Sequence, residues 1–346
     1  MMIIFRVDSS NIIGGGHLTR CINIANQLKK RKVISIFLCQ DLPGLDIKLL
    51  KIYNLKYKLL PENKDFTKDA KETIKFLIEE SLNPDCLVID HYEIDINWEK
   101  KVKQYTKKLL IIDDLANKKH FCDVLLNPVF GVKSSSYKDL LNESCKLFLG
   151  SDYIMLRPEF QKVRKNLINK VNQFEVKDIH LFFSSNDKNG LTIKYSNLLL
   201  DNFPWINLHI SVGNNFIQLN ELRLLGLKNK RINWEQNNLN IEKQMAKCQI
   251  AIGTPGMITW ERACLGIPSI QLGIKDFQDE ILDDLDSLGI CKWIGLEKEI
   301  DEEKFIDICR NFFKNNELLL QMRNKCFAAI DGKGMERVVK IIMQEY

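Results

Sequence analysis

The sequence predicts an α/β protein made of two doubly wound, Rossmann-like domains that face a cleft. Short apolar runs alternate with stretches of helical spacing, which is typical of parallel sheets covered by helices. The alternation stops near the middle of the chain and then starts again, which indicates a second domain. The length of 346 residues also suits two domains of ordinary size.

The first domain is predicted to span residues 1–160. Its repeated strand–helix–strand order implies parallel strand pairs with right-handed crossovers. Pro128, Gly131 and three serines interrupt the pattern and predict a loop over 127–136. The predicted strands and apolar runs are 2–7, 33–39, 86–90, 109–112, 121–126 and 147–153. The predicted helices are 17–31, 70–80 and 97–107.

A charged, weakly apolar stretch over 161–177 is predicted to connect the domains. The second domain is then predicted to span 178–346. Its predicted strands are 178–183, 205–212, 249–252 and 269–272, and its predicted helices are 191–200, 241–248 and 258–265. Open α/β sheets bind ligands beyond the carboxyl ends of their strands, so the expected site lies at those edges.

Composition excludes several classes of protein. Hydrophobic residues make up 45% and charged residues 27%, which is a globular balance. The net charge of +5 shows no clustered basic stripe, which argues against nucleic acid but favours a phosphorylated small molecule. Ten scattered cysteines without a C-x-x-C pair predict reduced thiols and no metal site. With no long apolar run and no signal-peptide pattern, we expect a cytoplasmic monomer without a membrane span.

A glycine loop follows the first predicted strand and ends in His17. The glycines at 14–16 let the backbone approach a ligand, and the helix that starts at about His17 offers free N–H groups to an anion or a sugar oxygen. A histidine there suits a general base, and the helix terminus favours its neutral form. The alternative is a histidine that only caps the helix.

Two further polar groups end strands of the first domain. Tyr92, in Asp90-His91-Tyr92, could hydrogen-bond a substrate hydroxyl or amide, or only pack on a helix. The pair Asp113-Asp114 precedes His120 and Asp123. The spacing of these groups is loose for a metal site, so it favours hydrogen bonding or helix capping.

The second domain contains a strand–glycine loop–helix segment that could bind phosphate through backbone N–H groups. It runs from Gly253 through Gly256 and Thr259 to Pro268. Glu261 lies in the first turns of the helix and could accept both hydroxyls of a ribose. The alternative is a surface glutamate stabilised by the helix dipole.

Several motifs together resemble the nucleotide-sugar hydrolases of the pseudaminic acid pathway, which remove UDP from a 2,4-diacetamido-2,4,6-trideoxy-altrose donor. The resemblance covers nearly the whole chain in the expected order. The matching segments are Arg6-Val-Asp8-Ser9, Gly14-x-Gly16-His17-x-x-Arg20-Cys21, Ile89-Asp90-His91-Tyr92, Asp113-Asp114-x-Ala116, His120-x-Cys122-Asp123-x-Leu-Leu-Asn127, Leu149-Gly150-x-x-Tyr153-x-x-Leu156-Arg157-x-Glu159-Phe160, Thr259-Trp260-Glu261-Arg262 and Asp331-Gly332-x-Gly334-x-x-Arg337.

This resemblance implies a GT-B-like fold, no cofactor or metal, and attack of water on the anomeric carbon with loss of UDP. It implies His17 as the catalytic base that activates water. It also implies a role in making sugars for surface polysaccharide or flagellin glycosylation. The implied sugar-binding residues are Asp8, Gly16, Tyr92 and Asn127. The implied nucleotide-binding residues are Ser184, Ser185, Gly253, Gly256, Thr259, Glu261 and Gln278.

Two departures from the family pattern fall on the nucleotide side. The segment Ser184-Ser185-Asn186-Asp187 stands where the family has Gly-Gly-x-Asp, and Pro255 with Met257-Ile258 alters the second loop. Two alternatives to hydrolysis therefore stay open. One is a GT-B glycosyltransferase that uses a UDP-sugar donor, although the loops show no apolar acceptor patch. The other is a catalytically silent protein that binds a sugar nucleotide.

Overall fold

A computed structural model describes residues 1–169, 175–274 and 279–344 of the chain. It divides into two compact units. Unit 1 contains Met1–Arg157 together with the chain from Lys333, and unit 2 contains Pro158–Gly332. Among the described residues, no helix is long and apolar enough to cross a membrane.

Unit 1 is built on a seven-stranded parallel sheet of order β3-β2-β1-β4-β5-β6-β7. The strands are β1 Met2–Val7, β2 Ile34–Gln40, β3 Lys56–Leu60, β4 Cys86–Asp90, β5 Leu109–Ile112, β6 Val124–Asn127 and β7 Lys146–Leu149. The helices between them are α1 Gly16–Lys30, α2 Ile47–Ile52, α3 Phe66–Glu79 and α4 Ile96–Val102. The strand order reverses between β1 and β4, and such a reversal opens a crevice at the carboxyl ends of the two strands.

Unit 2 repeats this plan with six parallel strands in the order β10-β9-β8-β11-β12-β13. The strands are β8 Asp178–Phe182, β9 Asn207–Val212, β10 Ile232–Gln236, β11 Ile250–Gly253, β12 Ser269–Gly273 and β13 Lys292–Leu296. The helices are α5 Pro158–Leu167, α6 Leu191–Asn202, α7 Leu219–Lys228, α8 Ile241–Met245, α9 Met257–Cys264, α10 Asp279–Ser287, α11 Glu302–Lys314 and α12 Asn316–Ala329. Its strand order reverses between β8 and β11. The predicted fold class of two doubly wound parallel sheets is therefore confirmed.

The predicted domain boundaries need correction at two places. The interval 161–177 is not a plain connector, because α5 occupies its first part and belongs to unit 2. Residues 170–174 of that interval lie outside the described part of the chain. The last helix, α13 Gly334–Met343, belongs to unit 1 rather than to the second domain.

Burial explains why α13 joins unit 1. Its apolar face is part of the same core cluster as the buried face of α1. The Lys108 ammonium donates to the carbonyls of Ile341 and Ile342 at 2.8 Å each, which satisfies the end of the helix. At Gly334 a Cβ would lie 2.2 Å from the Ile154 carbonyl oxygen, so only glycine permits this approach.

Several predicted elements differ in their bounds. The helix predicted over 97–107 ends at Val102 and continues as a 3-10 turn, Lys103–Tyr105. The strand predicted over 121–126 begins at Val124. The sequence pattern does not predict β3, β10 or β13. These strands lie at or next to sheet edges, where charged residues interrupt the apolar pattern.

The position of α13 gives the first testable prediction. Ile342→Ala should lower the free energy of unfolding by about 2–4 kcal/mol, because Ile342 is fully buried. Hydrogen exchange followed by mass spectrometry should show the lost protection in 2–157 and not in 175–332. Lys340→Ala, on the exposed face of the same helix, is the control and should change little. Loss of protection in unit 2 would contradict the division.

Candidate active site

The loop between β1 and α1 leaves the start of the helix open. Gly14 has φ +81°, a left-handed conformation that favours glycine, and its N–H donates to the Ser10 carbonyl at 2.8 Å. A Cβ at Gly15 or Gly16 would meet nothing within 4 Å. No side chain caps α1. The first-turn N–H groups of α1 are therefore accessible to a ligand.

His17 forms a hydrogen bond with a buried carboxylate. Its Nδ1 lies 2.7 Å from Oδ1 of Asp90, the last residue of β4. The Asp90 carboxylate is 1% exposed. Burial favours a raised pKa for Asp90, but the charge of Arg20 and hydrogen bonds from His17 and Arg20 hold that pKa well below its usual range. Because an ionised carboxylate only accepts, the bond to Asp90 favours the proton on Nδ1 and leaves Nε2 as the ring nitrogen outside this bond.

Arg20 holds this carboxylate in place. It lies three residues after His17 on the same face of α1. Its Nε and Nη2 donate to Asp90 at 2.8 and 2.6 Å, and its Nη1 and Nη2 both donate to Asp114 at 3.0 Å. The guanidinium therefore bridges the carboxylate that ends β4 and the one that follows β5. Such paired bonds fix the orientation of both groups.

Tyr92 borders the same site. Its ring meets the ring of His17 edge to face, with centroids 4.5 Å apart, and the side chain is 45% exposed. Partial burial and the nearby charge of Asp114 raise its pKa. Tyr92 thus stays protonated at neutral pH and can donate a hydrogen bond.

Asp8 is a buried carboxylate that is hydrogen-bonded within the protein. It is 1% exposed, and both oxygens bond the fully buried Arg6 guanidinium, at 2.6 and 2.9 Å. The same oxygens also contact the Gln40 N–H at 2.7 Å and His91 Nε2 at 3.0 Å. Arg6 is bonded on its other side by Asp69. Asp8 also borders the cavity beside the glycine loop, and its contact with a sugar stays a prediction.

Asn127 is likewise bonded within the protein. It is 1% exposed, its amide donates to the Tyr137 hydroxyl at 2.9 Å, and its carbonyl accepts from the Val129 N–H at 2.8 Å. The Tyr137 hydroxyl in turn donates to Asp113 at 2.7 Å. These bonds join the ends of β5 and β6, and the substrate contact of Asn127 stays a prediction.

His120 forms a buried ionic cluster beneath these strands. Its Nδ1 lies 2.7 Å from Glu99, and its Nε2 lies 3.7 Å from Asp113. Burial favours a lowered pKa, but the nearby carboxylates of Asp113 and Glu99 raise the pKa of His120 to about 9. Asp113 also accepts the N–H groups of Leu115 and Ala116, as predicted for a hydrogen-bonding carboxylate.

An apolar surface adjoins the glycine loop, contrary to the expectation that the loops have none. The Ile12 side chain is 97% exposed and that of Ile13 is 39% exposed. Both border a cavity of about 650 Å³ that Leu42, Pro43 and Phe66 also line. Two isoleucines within a polar loop carry no periodic signal, so the sequence pattern does not reveal this patch.

In unit 2, the loop after β8 lines a cavity of about 510 Å³. Ser184 and Ser185 both border it. Ser184 has φ +131°, a conformation that normally requires glycine, and its Oγ accepts the Asp187 N–H at 2.9 Å. Asp187 caps α6 by accepting the N–H groups of Leu191 and Thr192. The loop therefore has the backbone conformation of a glycine loop, although serine occupies position 184.

The second loop of unit 2 begins at Gly253. A Cβ there would lie 1.9 Å from the Phe182 carbonyl oxygen, so only glycine lets the ends of β8 and β11 come this close. Gly256 precedes α9 with open space above it, and Glu261 is partly exposed in the second turn. Thr259 is buried, and its hydroxyl donates to Gln271 at 2.9 Å, whereas its nucleotide contact stays a prediction. Gln278 lies outside the described residues.

Sequence reasoning missed the pairing of His17 with Asp90 and the bridge made by Arg20. The available signals were an acidic residue at the end of a neighbouring strand and an arginine three positions after the histidine. Over residues 1–169, 175–274 and 279–344, no group of three acidic, histidine or cysteine side chains is placed to hold a metal ion.

Comparisons with known proteins agree on the fold. No family model matches the chain. It is 14% identical to Acinetobacter baumannii MurG, whose crystal structure superposes with a TM-score of 0.69 over 99% of this chain and 100% of that one. Together with similar solved structures, this likeness shows that the chain has the fold of the GT-B class.

Three curated proteins are similar in sequence. An uncharacterised protein of Methanocaldococcus jannaschii, MJ1062, is 29% identical over 82% of this chain and 58% of its own length. UDP-2,4-diacetamido-2,4,6-trideoxy-beta-L-altropyranose hydrolase of Campylobacter jejuni is 33% identical over 50% of this chain and 59% of its own length. Spore coat polysaccharide biosynthesis protein SpsG of Bacillus subtilis is 22% identical over 96% of this chain and 95% of its own length. The chain thus spans well under two thirds of the first two relatives.

His120 should make stability depend on pH. Its pKa is raised from an ordinary value of about 6.5 to about 9, so its stabilising contribution is complete below the lower value and is lost as pH rises through the higher one. Urea unfolding at several pH values should show a fall in the free energy of unfolding over this window. His120→Gln should be less stable at pH 6 and should lack that fall. An equal fall in the free energy of unfolding of the variant would show that other groups cause the pH dependence.

Ser184 should reverse the usual order of alanine and glycine. Both Ser184→Ala and Ser184→Gly remove the hydroxyl, but only glycine relaxes at φ +131°. The glycine variant should therefore be more stable than the alanine variant by about 1 kcal/mol, measured by urea unfolding. The same two substitutions at the exposed Ser185, which has no positive φ, are the control. A more stable alanine variant at position 184 would contradict the strain.

Proposed function

We propose that this chain is a metal-independent hydrolase of a nucleotide-activated sugar, which it converts to free sugar and UDP. The observation that carries the proposal is the hydrogen bond between His17 and the buried Asp90, beside an open helix start at the strand reversal of unit 1. A carboxylate that orients a histidine is the arrangement by which proteins prepare a general base.

The proposed reaction is a displacement at the anomeric carbon. His17 Nε2 takes a proton from water, and the water oxygen bonds to the anomeric carbon. The bond from that carbon to the phosphate oxygen breaks, and its electron pair leaves with UDP. Asp90 stabilises the imidazolium that forms, and Arg20 keeps Asp90 ionised and in place.

The residues around His17 suit a sugar. The first-turn N–H groups of α1 can donate to sugar oxygens, and Gly16 leaves the space above them open. The Tyr92 hydroxyl can donate to a hydroxyl or acetamido group. The name of the Campylobacter relative supports UDP-2,4-diacetamido-2,4,6-trideoxy-altrose or a related donor as the substrate. The Bacillus relative supports a place in surface polysaccharide synthesis.

Unit 2 is proposed to bind the nucleotide. Ser184, Ser185 and the loop from Gly253 to Gly256 would meet the diphosphate, and Glu261 would accept the ribose hydroxyls. Both loops lie at the strand reversal of unit 2, where such sheets bind ligands. Gln278 keeps its proposed role in nucleotide binding.

A second candidate is a glycosyltransferase that uses the same donor. The exposed Ile12 and Ile13, beside a largely apolar cavity, favour it because an acceptor with an apolar part would find a surface there. In that case an acceptor hydroxyl replaces water as the nucleophile. A silent binding protein would instead leave the donor intact.

The deciding assay incubates the protein with UDP-2,4-diacetamido-2,4,6-trideoxy-altrose, without acceptor, and follows release of UDP. We expect release, with a His17→Ala rate lower by about a hundredfold or more. Asp90→Asn should also slow turnover, because the amide no longer fixes the ring. An unchanged rate in His17→Ala would remove His17 from catalysis.

His209 supplies a matched control. It pairs with Asp178 at 2.8 Å, and its side chain is 11% exposed, the same fraction as that of His17. His209→Ala should therefore keep the wild-type rate. Release of UDP only when an acceptor sugar or lipid is added would favour the glycosyltransferase.

A further inference from the structure

Arg262 is a fully buried cation in the second turn of α9. Its side chain is 1% exposed. No ion pair reaches its guanidinium from the described parts of the chain, and its Nε has no hydrogen-bond partner there. An unpaired charge in a protein interior is unfavourable, so its retention calls for a physical reason.

The bonds that Arg262 does form are long. Its Nη2 lies 3.3 Å from the Phe182 carbonyl oxygen and 3.5 Å from that of Ile252, and its Nη1 lies 3.5 Å from that of Thr254. By contrast, the buried Arg164 in the same unit donates to carbonyls at 3.0 and 2.7 Å. Hydrogen bonding within the described residues therefore compensates the Arg262 charge only weakly, although the charge of the neighbouring Glu261 also acts on it. Burial lowers the pKa of Arg262 to about 10, which leaves it charged at neutral pH.

The position of this charge is informative. Phe182 ends β8 and Thr254 follows β11, so the guanidinium lies under the starts of both loops at the strand reversal. A Cβ at Gly253 would lie 2.8 Å from Nη2, so the loop backbone rests directly on the guanidinium. No side chain caps the start of α9 just beyond. The loop after β8 lines the 510 Å³ cavity.

We infer that Arg262 is a positioning residue for a diphosphate site, holding both glycine-type loops from below and supplying the positive charge that the bound anion needs. The inference rests on the proposed function, since it deepens the proposed nucleotide site of unit 2. Arg262 acts through the loop backbone and its electric field, and it does not line the cavity. The ligand class is a nucleoside diphosphate.

Lys188 is the competing source of charge, because it is exposed and lines the same cavity. The two sources differ in their response to salt. The contribution of an exposed lysine is screened at high ionic strength, whereas that of a buried arginine persists. Salt therefore separates them.

The test is calorimetric titration with UDP, uridine and inorganic pyrophosphate, at low and high salt. Arg262→Met should weaken binding of UDP and pyrophosphate by about tenfold or more at both salt concentrations, while uridine changes by less than about twofold. Arg262→Lys, which keeps the charge, should recover part of the affinity. Arg164→Met, at the opposite end of α9, is the matched control and should bind UDP as the wild type does.

Several results would overturn the inference. An equal loss for uridine and UDP in Arg262→Met would show that the arginine only supports the fold. If Lys188→Met abolishes pyrophosphate binding by itself, the charge comes from the lysine, and this variant is informative even if Arg262→Met fails to fold. A wild type that binds neither UDP nor pyrophosphate would also refute the site. Charge-selective binding without release of UDP from the sugar nucleotide would refute the hydrolase and leave this inference standing.

Discussion

The candidate site of unit 1 depends on one buried carboxylate, that of Asp90. It accepts from His17 and from Arg20, and Arg20 continues to Asp114. A buried carboxylate would be costly without these donors, and the donors would lack orientation without it. The arrangement joins α1 to the ends of β4 and β5. It therefore fixes the helix start, the histidine ring and the strand reversal in one network.

A second buried network of hydrogen bonds lies beside the network of Asp90. This network consists of Arg6, Asp8 and Asp69. Arg6 donates hydrogen bonds to both carboxylates, and Asp8 also bonds His91. Their groups are bonded within the protein, so they make this part of unit 1 rigid. His17 differs because Nε2, its second ring nitrogen, takes no part in such a network. Unit 2 shows a related contrast between Arg164, with short bonds to carbonyls, and Arg262, with long ones.

Sequence reasoning could predict the fold class because the apolar strands of both sheet centres are continuous and their crossovers are helical. It could also place His17 and Tyr92 at the carboxyl edge, since strand ends converge there. It could not assign α13 to unit 1, because the apolar face of a helix does not say which core it covers. Nor could it tell that Asp8, Asn127 and Thr259 are buried. A polar residue at a strand end gives the same sequence pattern whether its side chain faces a ligand or another side chain.

The central claim is that Asp90 fixes the ring of His17 with its proton on Nδ1. The direct test is ¹⁵N NMR of histidine-labelled protein, with the His17 signals assigned from a His17→Gln variant. The account predicts that the neutral ring carries its proton on Nδ1 in the wild type and loses that preference in Asp90→Asn. A neutral His17 with its proton on Nε2 in the wild type would contradict the account, because Nε2 could not then take a proton from water.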